Sequence, residues 1–349
     1  MTGIDDVARA AGVSTATVSR ALSGRGRISD ATRVRVRAAA ADLGYVVSSA
    51  ASTLATGRTA NIGVVVPLLD RWFFSNVLDG IASVLAAHGY DITLYSMGDD
   101  PVQRDRVLDV SLRRGRVDGL IVLSLDLADD ELDRLLGLEL PIVGLGATSA
   151  RLPVLRVDDS AVARVATEHL LSLGHRRIAH IGFSRAGDPG FDIPSLRRAG
   201  FAAAMTDAGI PDPRFAAADF TIEDGHRAAA DLLGGPDRPS AIFAASDEMA
   251  FGALFAARER GLDVPGDLSV IGVDGHEMSG FFGLTTVAQF PHAQGERAGE
   301  AIRRLVEAGA APADTALPFD LVVRSSTAAP SHTADRAGDA EARPVGSKA

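Results

Sequence analysis

The stretch Thr2-Gly-Ile-Asp-Asp-Val-Ala-Arg-Ala-Ala-Gly-Val-Ser-Thr-Ala-Thr-Val-Ser-Arg-Ala-Leu-Ser-Gly24 has the spacing of two short helices joined by a tight turn. Thr2 followed by Asp5 is a capping-box pattern at a helix start. The apolar residues at 4, 7, 8 and 11 share one face of that helix. Gly12 permits the turn, and Ser14 is placed to cap a second helix. The sequence therefore predicts a compact helical pair at the N-terminus.

The second helix has a polar outer face. Its apolar residues at 18, 21 and 22 point inward, which leaves short side chains and one arginine outside: Thr15, Ala16, Ser19 and Arg20. Such a helix fits the major groove of DNA, where arginine can pair with guanine through two hydrogen bonds. The alternative is an ordinary helical hairpin at the edge of a larger domain.

A third helix and the charge distribution favour DNA binding. Ser29 can cap this helix, Val36, Ala39 and Leu43 are its apolar residues, and Gly44 is a natural stop. Residues 1–60 hold eight Arg against four Asp, a formal +4, which leaves −14 on the remainder of a chain of net charge −10. A small basic unit on an acidic body is expected where only that unit meets phosphate.

These residues resemble the lactose-repressor (LacI/GalR) family of transcriptional regulators. The resemblance rests on the run from Ile4 to Leu22, on Leu43-Gly-Tyr45 and on Thr56-Gly-Arg-Thr59, and it extends from Thr2 to about Thr327. It implies a homodimer that binds double-stranded operator DNA with pseudo-palindromic symmetry. It further implies base reading by Thr15, Ala16 and Arg20, with Thr17 and Ser19 at phosphates.

The resemblance also assigns residues 47–60 to a hinge helix after a head of residues 1–46. In the family this helix orders on DNA and inserts a leucine into the minor groove, and Leu54 stands at that position. Val47, Ser48 and Ser52 replace the usual Pro-Asn and an arginine. We therefore expect a hinge that orders less firmly than in relatives.

Composition excludes several other classes of protein. There is no cysteine, so neither a disulfide framework nor a thiolate metal site is expected. The eight histidines lack metal-ligand spacing, and His175, at a helix-to-strand junction, is interpreted as structural. No cofactor motif, signal peptide or apolar span is evident, which predicts a cytoplasmic protein without a membrane partner.

From Asn61 onward, apolar strands alternate with helices. Strands are expected at 62–67, 119–123, 178–182, 241–245 and 268–273, with helices between them at 75–88, 161–173, 196–208, 222–233 and 249–260. This pattern predicts doubly wound parallel sheets.

The resemblance divides this body, residues 61–327, into two lobes like those of periplasmic sugar-binding proteins. Lobe 1 comprises about 61–160 and 289–317, and lobe 2 about 161–288 and 318–327. Residues 328–349 lack periodicity and are expected to be a disordered tail without coiled-coil heptads.

Ligands of such sheets bind at the carboxyl ends of the strands. The family resemblance places Phe73, with Trp72, Arg197, Phe220 and Asp274 against a small-molecule effector, a set that suits the hydroxyls and C–H faces of a sugar. Further candidates are Ser246 and Asp247, which open a helix where N-capping is an equally good role, and Asp158 at the lobe crossing. Phe74 is as well explained as a core residue.

Three functions remain to be weighed. An enzyme is disfavoured because the chain has no phosphate-loop motif and no nucleophile beside Asp247 and Asp274. An exported sugar-binding protein would need no DNA-binding head. The sequence thus predicts a repressor released by a sugar, with a co-repressor-dependent or activating regulator that senses a nucleoside, purine or other polar ligand as the alternative.

Overall fold

A computed structural model describes residues 2–23, 27–45, 57–98, 100–146, 151–183, 193–235, 237–312 and 316–331. The expectations for Val47, Ser48, Ser52 and the leucine wedge Leu54 lie outside these ranges, as does the tail from residue 332. The described ranges include most of the head and of the body and the first residues of the expected tail.

The head consists of three helices, α1 (Ile4–Ala11), α2 (Thr15–Ser23) and α3 (Asp30–Asp42). Their shared core is made of small and β-branched side chains: Val7, Ala8, Ala11, Val18, Ala21, Val36 and Ala40. Gly12 adopts φ 65° between α1 and α2, a left-handed conformation that a side chain would strain. This turn lets α2 cross α1, as the sequence predicts.

The helix starts of the head are partly as expected. Ser14 and Ser29 cap their helices through hydrogen bonds from Thr17 N and Thr32 N. The predicted Thr2–Asp5 capping box is wrong. Gly3 is the N-cap of α1 and its N–H donates to Asp6 Oδ2 at 3.0 Å.

Thr2 and Leu43, at the two ends of the head, connect the start of α1 with the end of α3. The Thr2 hydroxyl donates to Leu43 O, which fastens the start of the chain to the end of the third helix. Leu43 is 37% exposed and, although apolar, lies outside the core of the head. Tyr45 packs against the core at that end, and its N–H donates to Ala40 O after the chain turns at Gly44, which has φ 59°.

Strands and helices alternate along most of the body. Its strands in chain order are β1 (Asn61–Val66), β2 (Asp91–Ser96), β3 (Gly119–Leu123), β4 (Ile142–Leu145), β5 (Val154–Leu155), β6 (Ile178–Gly182), β7 (Arg214–Ala217), β8 (Ala241–Ala244), β9 (Ser269–Asp274), β10 (Thr285–Ala288) and β11 (Asp320–Val322). Its α-helices are α4 (Trp72–Ala87), α5 (Pro101–Arg106), α6 (Asp129–Leu136), α7 (Asp159–Ser172), α8 (Ile193–Asp207), α9 (Ile222–Gly234), α10 (Asp247–Glu259) and α11 (Pro291–Ala308).

These strands form two sheets. The first has the order β2-β1-β3-β4-β5 and the second β11-β10-β9-β8-β6-β7. All neighbours are parallel except β10 and β11, which run antiparallel. The expected fold class of two doubly wound lobes is confirmed, with the addition that an antiparallel strand closes one edge of the second sheet.

The chain passes between the lobes three times. It leaves the first sheet after β5, and Asp158 caps α7 of the second lobe by accepting a hydrogen bond from Ala161 N. It returns after β10, because α11 packs on α4 beside the first sheet. It crosses again to β11, next to a parallel bridge between Arg156 and Ala316. Three neighbouring segments of the chain therefore connect the two lobes.

Both ends of the body are fixed by polar contacts. Asp118 accepts hydrogen bonds from Thr59 N and Ala60 N, which attaches the segment after the hinge to the first lobe. At the other end, the buried ring of His175 contacts Ser269 and Ala328 O, as its structural interpretation predicts. Ala328 thus belongs to the packed second lobe, so the expected start of the tail at residue 328 is wrong by at least this residue.

Candidate functional site

The outer face of α2 carries the predicted base-reading residues. Thr15, Ala16, Ser19 and Arg20 are exposed, whereas Val18 is fully buried. Arg20 Nε donates to Ala16 O one turn earlier, which lays the guanidinium along the helix. Thr17 differs from the others, because it is half-buried and its hydroxyl contacts the Ser14 hydroxyl at the cap. The helix therefore presents an exposed face of short side chains and one arginine.

The strand order locates the candidate effector site. In the first sheet the connections reverse direction between β1 and β3, and in the second between β6 and β8. Loops at such a reversal leave a crevice at the carboxyl edge of the sheet. Trp72 follows β1, and Ser246 and Asp247 follow β8. The sequence-predicted residues therefore come from both reversal points.

The two carboxyl edges face each other. The ring of Trp72 in the first lobe stacks on the ring of His276 in the second lobe, with centroids 4.4 Å apart and planes 28° apart. His276 also meets Phe251 edge-on at 5.3 Å. The lobes thus meet through an aromatic contact at the mouth of the crevice.

Arg197 is a buried residue with a partner that the sequence did not reveal. It is 5% exposed, and both Nε and Nη2 lie 2.9 Å from Asp159 Oδ1. Its Nη1 donates to Ala245 O at the end of β8. Burial raises the pKa of Asp159, and the guanidinium opposes that shift. Arg197 therefore holds α7, α8 and β8 together while its charge stays at the edge of the sheet.

Asp274 ends β9 in a strained backbone conformation. Its φ is 118°, a region that costs about 1–3 kcal/mol for a residue with a side chain and is found mostly at functional sites. The side chain is 7% exposed, and Oδ1 accepts a hydrogen bond from Gln289 Nε2 at 2.8 Å. Burial raises the pKa of Asp274 well above its usual range, and the charge of Arg197 opposes this rise. A buried carboxyl here favours a ligand that donates hydrogen bonds.

Asp247 is fully buried at the start of α10. Its Oδ2 accepts hydrogen bonds from His276 N at 2.7 Å and from the Ser279 hydroxyl at 2.8 Å. Burial raises the pKa of Asp247 to about 6, although these hydrogen bonds oppose the shift. The N-cap of α10 is Ser246, whose hydroxyl accepts from Met249 N. Asp247 therefore positions the loop that carries His276 and does not cap the helix.

The remaining predicted aromatic residues occupy the walls of the lobes. Phe73 meets Phe74 edge-on at 5.6 Å, and both pack against the core of the first lobe. Phe220 stacks on Phe183 at 6.2 Å, next to the end of β6. The structure thus brings together Trp72, Asp247, Asp274 and Arg197, because His276 contacts both Trp72 and Asp247 and the charges of Arg197 and Asp247 act on Asp274. Phe73 and Phe220 instead pack against the cores of the two lobes.

Sequence reasoning missed three residues of this arrangement: Asp159, His276 and Gln289. Each contacts a predicted residue from a distant part of the chain, so no local pattern marks it. In the described ranges, no three His, Asp or Glu side chains are grouped as metal ligands. Within those same ranges, no helix is long and apolar enough to span a bilayer.

Comparisons with known proteins agree with this geometry. Residues 3–48 match the family model for bacterial regulatory proteins of the lacI family, and residues 167–327 match a periplasmic binding protein-like domain. The HTH-type transcriptional repressor CytR of Escherichia coli (strain K12) is 36% identical over 291 residues, which covers 81% of this chain and 84% of CytR.

Two solved structures share the whole architecture. A lac repressor dimer bound to operator and the anti-inducer ONPF has a TM-score of 0.80 at 29% identity, and the match covers 94% of this chain and 99% of that one. A complex of the transcriptional regulator CelR with cellobiose has a TM-score of 0.68 at 28% identity, covering 93% and 100%. The chain therefore belongs to the LacI family of DNA-binding transcriptional regulators.

Proposed function

We propose that this protein is a homodimeric repressor that binds a pseudo-palindromic operator and is released by a neutral polar effector, a sugar or a nucleoside. The observation that carries the effector assignment is the convergence of Arg197, Asp247 and Asp274 at one sheet edge opposite Trp72. Thr15, Ala16 and Arg20 would read bases, and Thr17 and Ser19 would contact phosphates. Two heads related by a dyad would bind half-sites about one helical turn apart.

The charges in the crevice support a donor-rich, uncharged effector. Asp159 already neutralises Arg197 through a buried ion pair. Two further buried carboxyls, Asp247 and Asp274, have raised pKa values, so an additional negative charge between them would be unfavourable. Hydroxyl or amino groups of a ligand would instead donate to Asp274. The flat faces of Trp72 and His276 would cover a sugar ring or a base.

An exposed aromatic patch on the second lobe supports the dimer. Phe281 is 86% exposed, and Phe282 and Met278 are each 40% exposed. Phe255 on α10 meets the ring of Phe282, so the patch is continuous. Adjacent exposed aromatic residues are typical of protein interfaces. We infer that this face meets its copy in the dimer.

A regulator of this kind performs no catalysis, and it acts in the cytoplasm where its operator is found. CytR and the other regulators that it resembles support this reading. Effector binding would change the angle between the lobes and hence the geometry of the two heads.

The test begins with thermal-shift screening of the full chain against ribose, cellobiose, adenosine and cytidine. Any compound that raises Tm is then titrated while the fluorescence of Trp72, the only tryptophan, is recorded. Because Trp72 stacks on His276, a ligand in the crevice should change its emission with the same Kd as the thermal shift. Stabilisation without a change in Trp72 emission would place the ligand elsewhere and contradict the assignment.

A further inference from the structure

His180 is a polar residue in the middle of a buried strand. It lies at the centre of β6 and is 0% exposed. Three aromatic rings surround the imidazole, those of Phe243 at 4.6 Å, Phe201 at 5.1 Å and Phe215 at 5.5 Å. An apolar ring would fill this space equally well, so packing alone does not require a histidine.

Among the described residues, one of the two ring nitrogens of His180 makes a hydrogen bond. His180 Nδ1 lies 3.0 Å from Phe243 O on the neighbouring strand β8. Because a carbonyl can only accept, Nδ1 carries the proton, and Nε2 of the neutral ring is an acceptor. Burial lowers the pKa of His180 to about 4, which keeps the ring neutral near pH 7. The ring therefore offers a fixed acceptor at Nε2.

That acceptor is buried and has no hydrogen-bond partner among the described residues. It points toward Gly182, where a Cβ atom would lie only 2.8 Å from Nε2 and 3.5 Å from Ala245 Cβ. Ala245 O in turn receives the hydrogen bond from Arg197. Nε2 of His180 thus points past Gly182, which has no side chain, toward the sheet edge that carries Arg197.

We propose that His180 Nε2 is an additional effector-binding atom, which accepts a hydrogen bond from an O–H or N–H group that enters over Gly182. Leaving a buried acceptor unpaired is unfavourable, and a donor from the ligand would satisfy it. The ligand would therefore present a donor to the second lobe that is distinct from the one that meets Asp274. This inference rests on the proposed effector crevice.

Three variants separate this role from a structural one. His180→Asn keeps a donor near the position of Nδ1 for Phe243 O and removes Nε2. Gly182→Ala keeps His180 and fills the space in front of Nε2. Ile181→Val is the matched control, because Ile181 is equally buried on the same strand but packs in the core on the opposite face of the sheet.

The measurement is calorimetric titration of each full-length variant with whichever of ribose, cellobiose, adenosine or cytidine binds the wild type. We expect at least a tenfold loss of affinity for His180→Asn and Gly182→Ala, and less than a twofold change for Ile181→Val. Affinity for the operator without ligand should remain within twofold for all three. Wild-type effector affinity in both His180→Asn and Gly182→Ala would overturn the inference.

A second measurement does not depend on the variants folding. In 15N-labelled wild-type protein, the Nε2 resonance of His180 should shift when the ligand saturates the protein, because a hydrogen bond forms at that nitrogen. An unchanged resonance with bound ligand would refute the inference and leave the proposed function intact. If none of the four compounds binds the wild type, the proposed function fails and the inference fails with it.

Discussion

The structure changes the expected effect of replacing Arg197 more than that of any other substitution. From its sequence position alone, Arg197→Ala should remove effector contacts and spare the fold. The structure shows Arg197 in a buried ion pair with Asp159, which is itself 6% exposed. Removing the guanidinium would leave a buried carboxylate without its partner and Ala245 O without its donor.

The magnitude follows from this burial. Breaking a buried ion pair by deleting one partner costs about 3–5 kcal/mol. For a domain of this size about 1 kcal/mol corresponds to roughly 2–4 °C, so we expect Arg197→Ala to lower Tm by roughly 6–20 °C. The double variant Arg197→Met with Asp159→Leu replaces the pair by apolar side chains and should recover most of that loss. It should still lack effector binding.

Differential scanning calorimetry of the wild type, Arg197→Ala, Asp159→Leu and the double variant provides the test. We expect Arg197→Ala and Asp159→Leu each to melt at a lower temperature than the double variant, because each single change leaves one buried charge without its partner. A single Arg197→Ala substitution with the Tm of the wild type would refute the structural role of the pair. A loss of Tm in the double variant equal to the sum of the losses in the two single variants would show that the two side chains act independently.

Three further outcomes are expected. Arg20→Ala should weaken binding to the cognate operator by about 1–3 kcal/mol and relax selection at one symmetric base pair; unchanged selection from randomised sites would contradict base reading. Asp247→Asn should flatten the pH dependence of Tm. The folded pKa of about 6 exceeds the usual 3.8, so the folded state binds the extra proton and stability falls by up to roughly 3 kcal/mol as pH rises through that window. An equally steep profile in the variant would contradict this. Phe281→Asp should yield monomers in analytical ultracentrifugation, and an intact dimer would exclude that face.

Much of the fold was predictable because its signals are local. The apolar runs at 119–123 and 178–182 coincide with β3 and β6, and Gly12 and Ser14 shape the turn as expected. β2 was not predicted. It lies at an edge of the first sheet, where Thr93 and Tyr95 alternate with exposed or half-buried neighbours. Local periodicity cannot distinguish such an edge strand from a loop.

The sequence names candidate residues for the site, but it does not predict which side chains contact one another. The family resemblance points to Arg197 and Asp274, and Asp247 was singled out because it opens a helix directly after a predicted strand. The partner of Arg197 is 38 residues away and the ring that stacks on Trp72 is in the other lobe. Such contacts depend on how the sheets are arranged, which no short stretch of sequence records.

Replacing Asp274 tests the coupling between crevice and operator most directly. Asp274→Asn keeps an acceptor for Gln289 and replaces the second carboxyl oxygen, which would receive ligand donors, by an NH2 group that can only donate. The measurement is the Kd for operator DNA, with and without a saturating effector, for the wild type and this variant. We predict that effector raises the wild-type Kd by about 5–150-fold, as expected for a coupling of 1–3 kcal/mol, and leaves the Kd of Asp274→Asn unchanged at the same concentration. A wild-type Kd that is unaffected by bound effector, or a variant that responds like the wild type, would contradict the account.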